Sequence, residues 1–158
     1  MSSFPTPTGS VVGCLSWRPG IRWSCTSIEG GFCPKDRAWL RDVLVPLQGS
    51  LEVGYARAVS ISVEAPSVQA AFRAGLDARW TFLSDQERVY QAQLGLREWT
   101  DTVHDPYIPT VVVTRPDLHV HASYNGYWFW GRPSAADLWR DLREVTRALR
   151  SDWEVPRG

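Results

Sequence analysis

The chain has 158 residues with 17 basic and 17 acidic side chains, so its formal net charge is zero. That length suits one compact domain, and a neutral chain lacks the positive charge that nucleic-acid binding requires. The sequence holds neither an apolar run of the roughly 20 residues that cross a bilayer nor the pattern of a secretory signal, so we expect a cytoplasmic protein with no membrane partner.

The first 20 residues are rich in Ser, Pro, Gly and Thr, which predicts a flexible arm ahead of a single domain over residues 21–158. Periodicity and the Pro and Gly positions predict strands at 22–28, 55–63, 81–83, 110–114 and 120–124, and helices at 34–45, 66–76, 86–94 and 135–149. Alternation in the first half predicts parallel pairing, and the last two strands predict an antiparallel hairpin at one edge. We therefore predict an α/β domain whose central mixed sheet carries helices on both faces.

Cys33 lies between the first predicted strand and a helix that begins at Pro34. Backbone N–H groups at a helix start favour negative charge and lower the pKa of a thiol, which is typical of a reactive cysteine. The equally supported alternative is a small buried apolar residue. Cys14 and Cys25 are widely spaced and form no CxxC pair, so we favour inert roles for them over reaction with an oxidised Cys33, and we expect Cys33 to be more accessible than Cys25.

Residues 29–37, EGGFCPKDR, resemble the Gly-x-Trp-Cys-Pro-x-Cys-Arg segment of thioredoxin-fold redoxins. These are the alkyl hydroperoxide reductase and thiol-specific antioxidant proteins and their peroxiredoxin-like relatives. Three further segments resemble motifs of that family in the same order: ISVEAP at 61–66, FLSD at 82–85 and YIPT at 107–110. The resemblance implies a thioredoxin-like fold and a thiol redox function.

The resemblance also implies the chemistry of the site. A thiolate at Cys33 would attack a peroxide or disulfide substrate, and an external thiol would reduce the product, with no metal or organic cofactor. Pro34 would open the helix that follows the sulfur. Pro109, after a cis peptide bond, and Thr110 would lie on a strand that faces Cys33.

Several departures from the family pattern bear on catalysis. Asp36 stands where the second cysteine of a CxxC pair would fall, and its negative charge opposes a thiolate, although Arg37 would offset that charge. In the plainer interpretation Asp36 only stabilises the first helical turn, and Arg37 lies on a solvated face. Gly30 replaces the hydroxyl residue of the peroxiredoxin Pro-x-x-x-Thr/Ser-x-x-Cys motif.

The strand segment SCTS, residues 24–27, is also too polar for a strand covered on both faces, which indicates either lost activity or a shallow strand. These departures support an alternative function, a catalytically degenerate binding or scaffold module.

Two other features of the sequence bear on binding. The aromatic run YNGYWFWGRP, residues 124–133, suits a self-association surface through Tyr127–Trp130, but packing over the sheet end is the favoured interpretation. His119 and His121 are two residues apart on a predicted strand face, yet no ligand constellation accompanies them, so we expect no metal site.

Overall fold

The computed structural model describes residues 22–127 and 131–149. The predicted arm, residues 1–20, and the middle of the aromatic run, residues 128–130, lie outside the described residues. Within them, no helix combines the length and apolar character that spanning a membrane demands.

Five strands form one mixed sheet in the order β3-β2-β1-β4-β5. The strands are β1 (Arg22–Ser27), β2 (Ala56–Ser62), β3 (Thr81–Ser84), β4 (Thr110–Thr114) and β5 (Val120–Asn125). Parallel pairing joins β1 to β2 and β2 to β3, whereas β4 runs antiparallel to both β1 and β5. The α/β class and the antiparallel hairpin at one edge are confirmed, and β1 lies at the centre.

The helices begin within three residues of the predicted positions, and only the first departs from its predicted end. They are α1 (Pro34–Trp39), α2 (Val45–Val53), α3 (Pro66–Gly75), α4 (Val89–Leu94) and α5 (Ala135–Leu149), with a π-helical turn at Leu40–Leu44 joining α1 to α2. The prediction that Pro46 ends the first helix is wrong. Pro46 lies in the first turn of α2, where a missing N–H is tolerated.

The central strand is buried despite its polar sequence. Ser24, Thr26 and Ser27 are each at most 5% exposed, so the shallow-strand interpretation is wrong. The Ser27 hydroxyl donates to the Ile108 carbonyl at 2.9 Å and accepts the Thr110 N–H at 2.9 Å. The hydroxyls of Ser24 and Thr26 have no partner among the described residues. Pairing on both sides therefore buries β1 even where its side chains are polar.

One apolar cluster fixes the helices against the sheet. Its members come from α1, the π-helical turn, α2 and α5, and from the inward residues of β2 and β4. They include Trp39, Leu40, Leu44, Leu47, Leu51, Ala56, Ala58, Val111, Val113, Leu138, Leu142 and Val145. The Leu residues of α5 follow the predicted helical spacing. This packing sets the direction of α1, and hence the position of Cys33 at its start.

Candidate active site

The loop between β1 and α1 is fixed by backbone contacts. Ile28 is fully buried and its N–H donates to the Ile61 carbonyl at 3.0 Å. The Gly31 N–H donates to the Glu64 carboxylate at 2.8 Å, and the Cys33 N–H closes a turn on the Gly30 carbonyl at 3.1 Å. The loop thus carries the chain from the carboxyl end of β1 to the start of α1.

Gly30 is required by this loop. Its φ is +153°, and a β-carbon there would lie 2.7 Å from the Phe32 ring and 2.8 Å from the Glu64 carboxyl carbon. The hydroxyl residue of the peroxiredoxin motif therefore has no room at this position unless the loop rearranges.

Cys33 is the N-cap residue of α1, with extended backbone at φ −76° and ψ 117°. It is a free thiol and only 4% exposed. A carboxylate oxygen of Glu29, the Cys33 sulfur and a carboxylate oxygen of Asp36 all lie within 4.8 Å of one another. The sulfur therefore faces two acidic side chains.

This environment favours the protonated thiol. Burial, above all, raises the pKa of Cys33 to about 11, and the hydrogen bond to Glu29 and the negative charges of Asp36 and Glu29 act in the same direction. The backbone N–H of Asp36, in the first turn of α1, lowers the pKa of Cys33, but its effect is smaller than that of burial. Placement at a helix start left two interpretations open, a reactive thiol and a small buried residue. Burial and Glu29 raise the pKa of this thiol, which agrees with the second interpretation.

Asp36 forms a buried ion pair across the molecule. Oδ1 accepts the Nε–H and Nη2–H of Arg132 at 3.0 and 2.5 Å, and Oδ2 accepts the Glu29 N–H at 2.7 Å. The Asp36 side chain is 1% exposed and that of Arg132 10%. Burial raises the pKa of Asp36, while these three donors act to lower it. Arg37 is exposed, so the guanidinium that faces Asp36 comes from Arg132 instead.

Pro109 and Thr110 reach the same end of the sheet. Thr110 pairs with Ser27, the last residue of β1, and so lies beside the strand that leads to Cys33. The peptide bond before Pro109 is trans, so the predicted cis bond is wrong. The Pro109 carbonyl accepts the Gly126 N–H at 2.6 Å, and a trans proline at the first residue before a strand needs no special geometry.

Cys25 lies in the middle of β1, opposite Val59 and Val112. It is free, and burial raises the pKa of its thiol to about 12. As a residue it is partly exposed whereas Cys33 is buried, yet desolvation raises the pKa of the Cys25 thiol further than that of Cys33. The expectation that the Cys33 thiol is the more accessible of the two therefore stays a prediction. Cys14 lies outside the described residues.

No protein-family model matches the sequence, and no curated protein matches it. Solved structures do match. Reduced Prx3 from Vibrio vulnificus aligns with a TM-score of 0.71 at 16% identity, over 82% of this chain and 86% of that one. AhpC from Enterococcus faecalis aligns with a TM-score of 0.71 at 16% identity, over 87% of this chain and 83% of that one. Peroxiredoxin 5 from Alvinella pompejana aligns with a TM-score of 0.68 at 13% identity, over 83% of this chain and 84% of that one.

These alignments decide the fold. The chain has the thioredoxin-like fold of the peroxiredoxins. The expected fold is thus confirmed over more than four fifths of the sequence, although the identity is low.

Two side chains of this site, Glu29 and Arg132, were missed by the sequence reasoning. Glu29 stands four residues before Cys33 inside the EGGFCPKDR segment, so its proximity was available as a signal. Arg132 is 96 residues from Asp36 and ends the aromatic run, where nothing in the local sequence indicates its partner.

Two groups in the described residues bring three metal-ligand atoms within 4.8 Å: Glu29, Cys33 and Asp36, and His121, Asp141 and Glu144. An arginine already binds the buried carboxylate of each group, Arg132 on Asp36 and Arg140 on Asp141. Both groups are therefore explained as ion-pair networks.

The predicted His pair does not form a site. His119 precedes β5 and contacts Asp117 at 3.3 Å, whereas His121 contacts Glu144 of α5 at 3.3 Å. A register irregularity between β4 and β5 falls at this point of the hairpin. The two imidazoles therefore have separate acidic partners.

Proposed function

We propose that this chain is a thiol-dependent peroxidase in which Cys33 is the attacking sulfur. One observation carries the proposal: a free, buried thiol stands at the start of α1, directly after the central strand of a peroxiredoxin-like fold. Vibrio vulnificus Prx3 was also crystallised in complex with H2O2, which supports a peroxide as the substrate. A small peroxide also suits a sulfur that is 4% exposed better than a protein disulfide does.

The reaction balances with an external thiol as reductant. The Cys33 sulfur bonds to one peroxide oxygen, the O–O bond breaks, and the products are a sulfenic acid and an alcohol or water. One external thiol condenses with the sulfenic acid, releasing water and leaving a mixed disulfide. A second thiol attacks that disulfide and regenerates Cys33. Cys25 lies within β1, which supports an external reductant over an internal one.

Five residues would support the sulfur. Pro34 opens α1 and so fixes the N-cap conformation of Cys33. Asp36 ties the first turn to Arg132, and Pro109 and Thr110 fix the neighbouring strand end. Arg37, exposed on the same turn, is proposed as a cation at the mouth of the site.

Two further proposals concern the setting. A reducing cytoplasm would keep Cys33 in its thiol form between turnovers. Tyr127 is 40% exposed at the start of the Tyr127–Trp130 run, which supports a surface for self-association.

Turnover of single cysteine variants tests the proposed function. We expect Cys33→Ser to lose peroxide consumption entirely and Cys25→Ser to retain it, because only Cys33 stands at the helix start. The measurement is peroxide consumption with several small thiol donors. Undiminished turnover in Cys33→Ser would rule out Cys33 as the attacking sulfur, and no turnover by the unmodified chain with any donor would favour the non-catalytic module.

A further inference from the structure

Glu29 is the carboxylate that contacts the reactive thiol. It belongs to the loop between β1 and α1 and is partly exposed. A carboxylate oxygen of Glu29 lies within 4.8 Å of the Cys33 sulfur, and its interaction with the thiol is one of the causes that raise the pKa of Cys33. The Glu29 backbone is held in turn, because its N–H donates to Asp36 Oδ2 at 2.7 Å. The carboxylate is therefore placed against the sulfur by the same network that fixes α1.

The peroxide reaction has to move one proton. With a pKa of about 11, only about one Cys33 in 10⁴ is ionised at pH 7, so nearly every thiol still carries its proton. When sulfur attacks a peroxide, the departing oxygen gains negative charge and needs a proton. A side chain that takes the first proton and donates it to that oxygen serves both needs.

Asp36 is unsuited to this task although one of its oxygens also lies within 4.8 Å of the sulfur. Its two oxygens accept three hydrogen bonds, two from Arg132 and one from the Glu29 N–H. Its side chain is also 1% exposed, which leaves it little access to a substrate from solvent. Glu29 is partly exposed.

Resting on the proposed function, we infer that Glu29 is the proton carrier of the peroxide reaction. Its carboxylate accepts the Cys33 proton as the sulfur–oxygen bond forms and the O–O bond breaks. The resulting carboxylic acid donates that proton to the departing oxygen, which leaves as an alcohol or as water. Glu29 ends as a carboxylate and Cys33 as a sulfenic acid, so no further reactant is needed in this step.

Glu29→Gln should change two reactions of Cys33 in opposite directions. Alkylation by iodoacetamide requires the thiolate, and iodide leaves without a proton. Removing a negative neighbour favours the thiolate, so alkylation should become faster. Oxidation by H2O2 loses the proton carrier and should become slower by about 10²-fold or more. Both rates are measured on the Cys14→Ser, Cys25→Ser background at pH 7.

Glu52→Gln is the matched control, since Glu52 is exposed near the end of α2 and pairs with Arg79. It should leave both rates unchanged. If Glu29→Gln speeds both reactions, its effect is only electrostatic and the proton-carrier role is wrong. If it slows both in parallel, the pocket is distorted, and that role also fails. Failure of the proposed function has a different signature: the unmodified thiol is alkylated but never oxidised by H2O2.

Discussion

Arg132→Met should destabilise the protein by about 3–5 kcal/mol at neutral pH, because it leaves the buried Asp36 carboxylate without its cation. Asp36 is 1% exposed, and Arg132 supplies two of its three hydrogen bonds. Urea unfolding measures the loss. The penalty should shrink as the pH falls, since burial already raises the pKa of Asp36 and a protonated carboxyl has no charge to desolvate.

Two further variants serve as controls for the stability loss in Arg132→Met. Arg79→Met breaks the exposed pair with Glu52, whose side chains are each 51% exposed, and should cost no more than about 1 kcal/mol. Combining Arg132→Met with Asp36→Asn removes both charges and should recover most of the lost stability. A loss in Arg132→Met no larger than that of Arg79→Met would show that the Asp36–Arg132 pair is not buried as described.

The second large effect is the pH dependence of Cys33 alkylation. The rate should rise about tenfold per pH unit between pH 7 and pH 10, because the thiolate fraction grows at that rate until the pH nears the raised value of about 11. Cys25, with a pKa of about 12, should hold roughly tenfold less thiolate than Cys33 at each pH in this range.

Iodoacetamide labelling with peptide mapping follows both cysteines in a Cys14→Ser background. Labelling in urea is the control, and there the Cys33 rate should level off near the ordinary thiol pKa of about 8.5. A plateau below pH 9 in the folded protein would contradict the raised pKa, and would show that the helix start outweighs burial and the two carboxylates.

Local signals predicted most of the fold. Pro34 and Pro66 were correctly placed at helix starts. The last helix begins at its predicted residue, after Ser134, whose hydroxyl accepts the Asp137 N–H at 3.2 Å. Pro46 was wrongly taken as the end of a helix. A proline also fits the first turn of a helix, and the sequence does not show that a π-helical turn leads directly into a second helix there.

The candidate site was less predictable because its electrostatics are nonlocal. Cys33 and Asp36 were identified from a motif of nine residues, but Arg132, the cation that pairs with Asp36, lies 96 residues further along the chain. The polar sequence of β1 led to the wrong prediction of a shallow strand for a related reason. Pairing with β2 and β4 buries β1, and the sequence of β1 alone does not indicate this. The bond before Pro109 was inferred from the resemblance alone, and the contact of Pro109 with Gly126 suits the trans form.

Trapping the first oxidation product tests the peroxidase proposal most directly. The unmodified chain would be treated with one equivalent of H2O2 in the presence of a sulfenic-acid trap and then mapped by mass spectrometry. We predict the trap on Cys33, with Cys25 unmodified. Trap confined to Cys14 or Cys25, or an unmodified Cys33 after the peroxide is exhausted, would contradict Cys33 as the attacking sulfur.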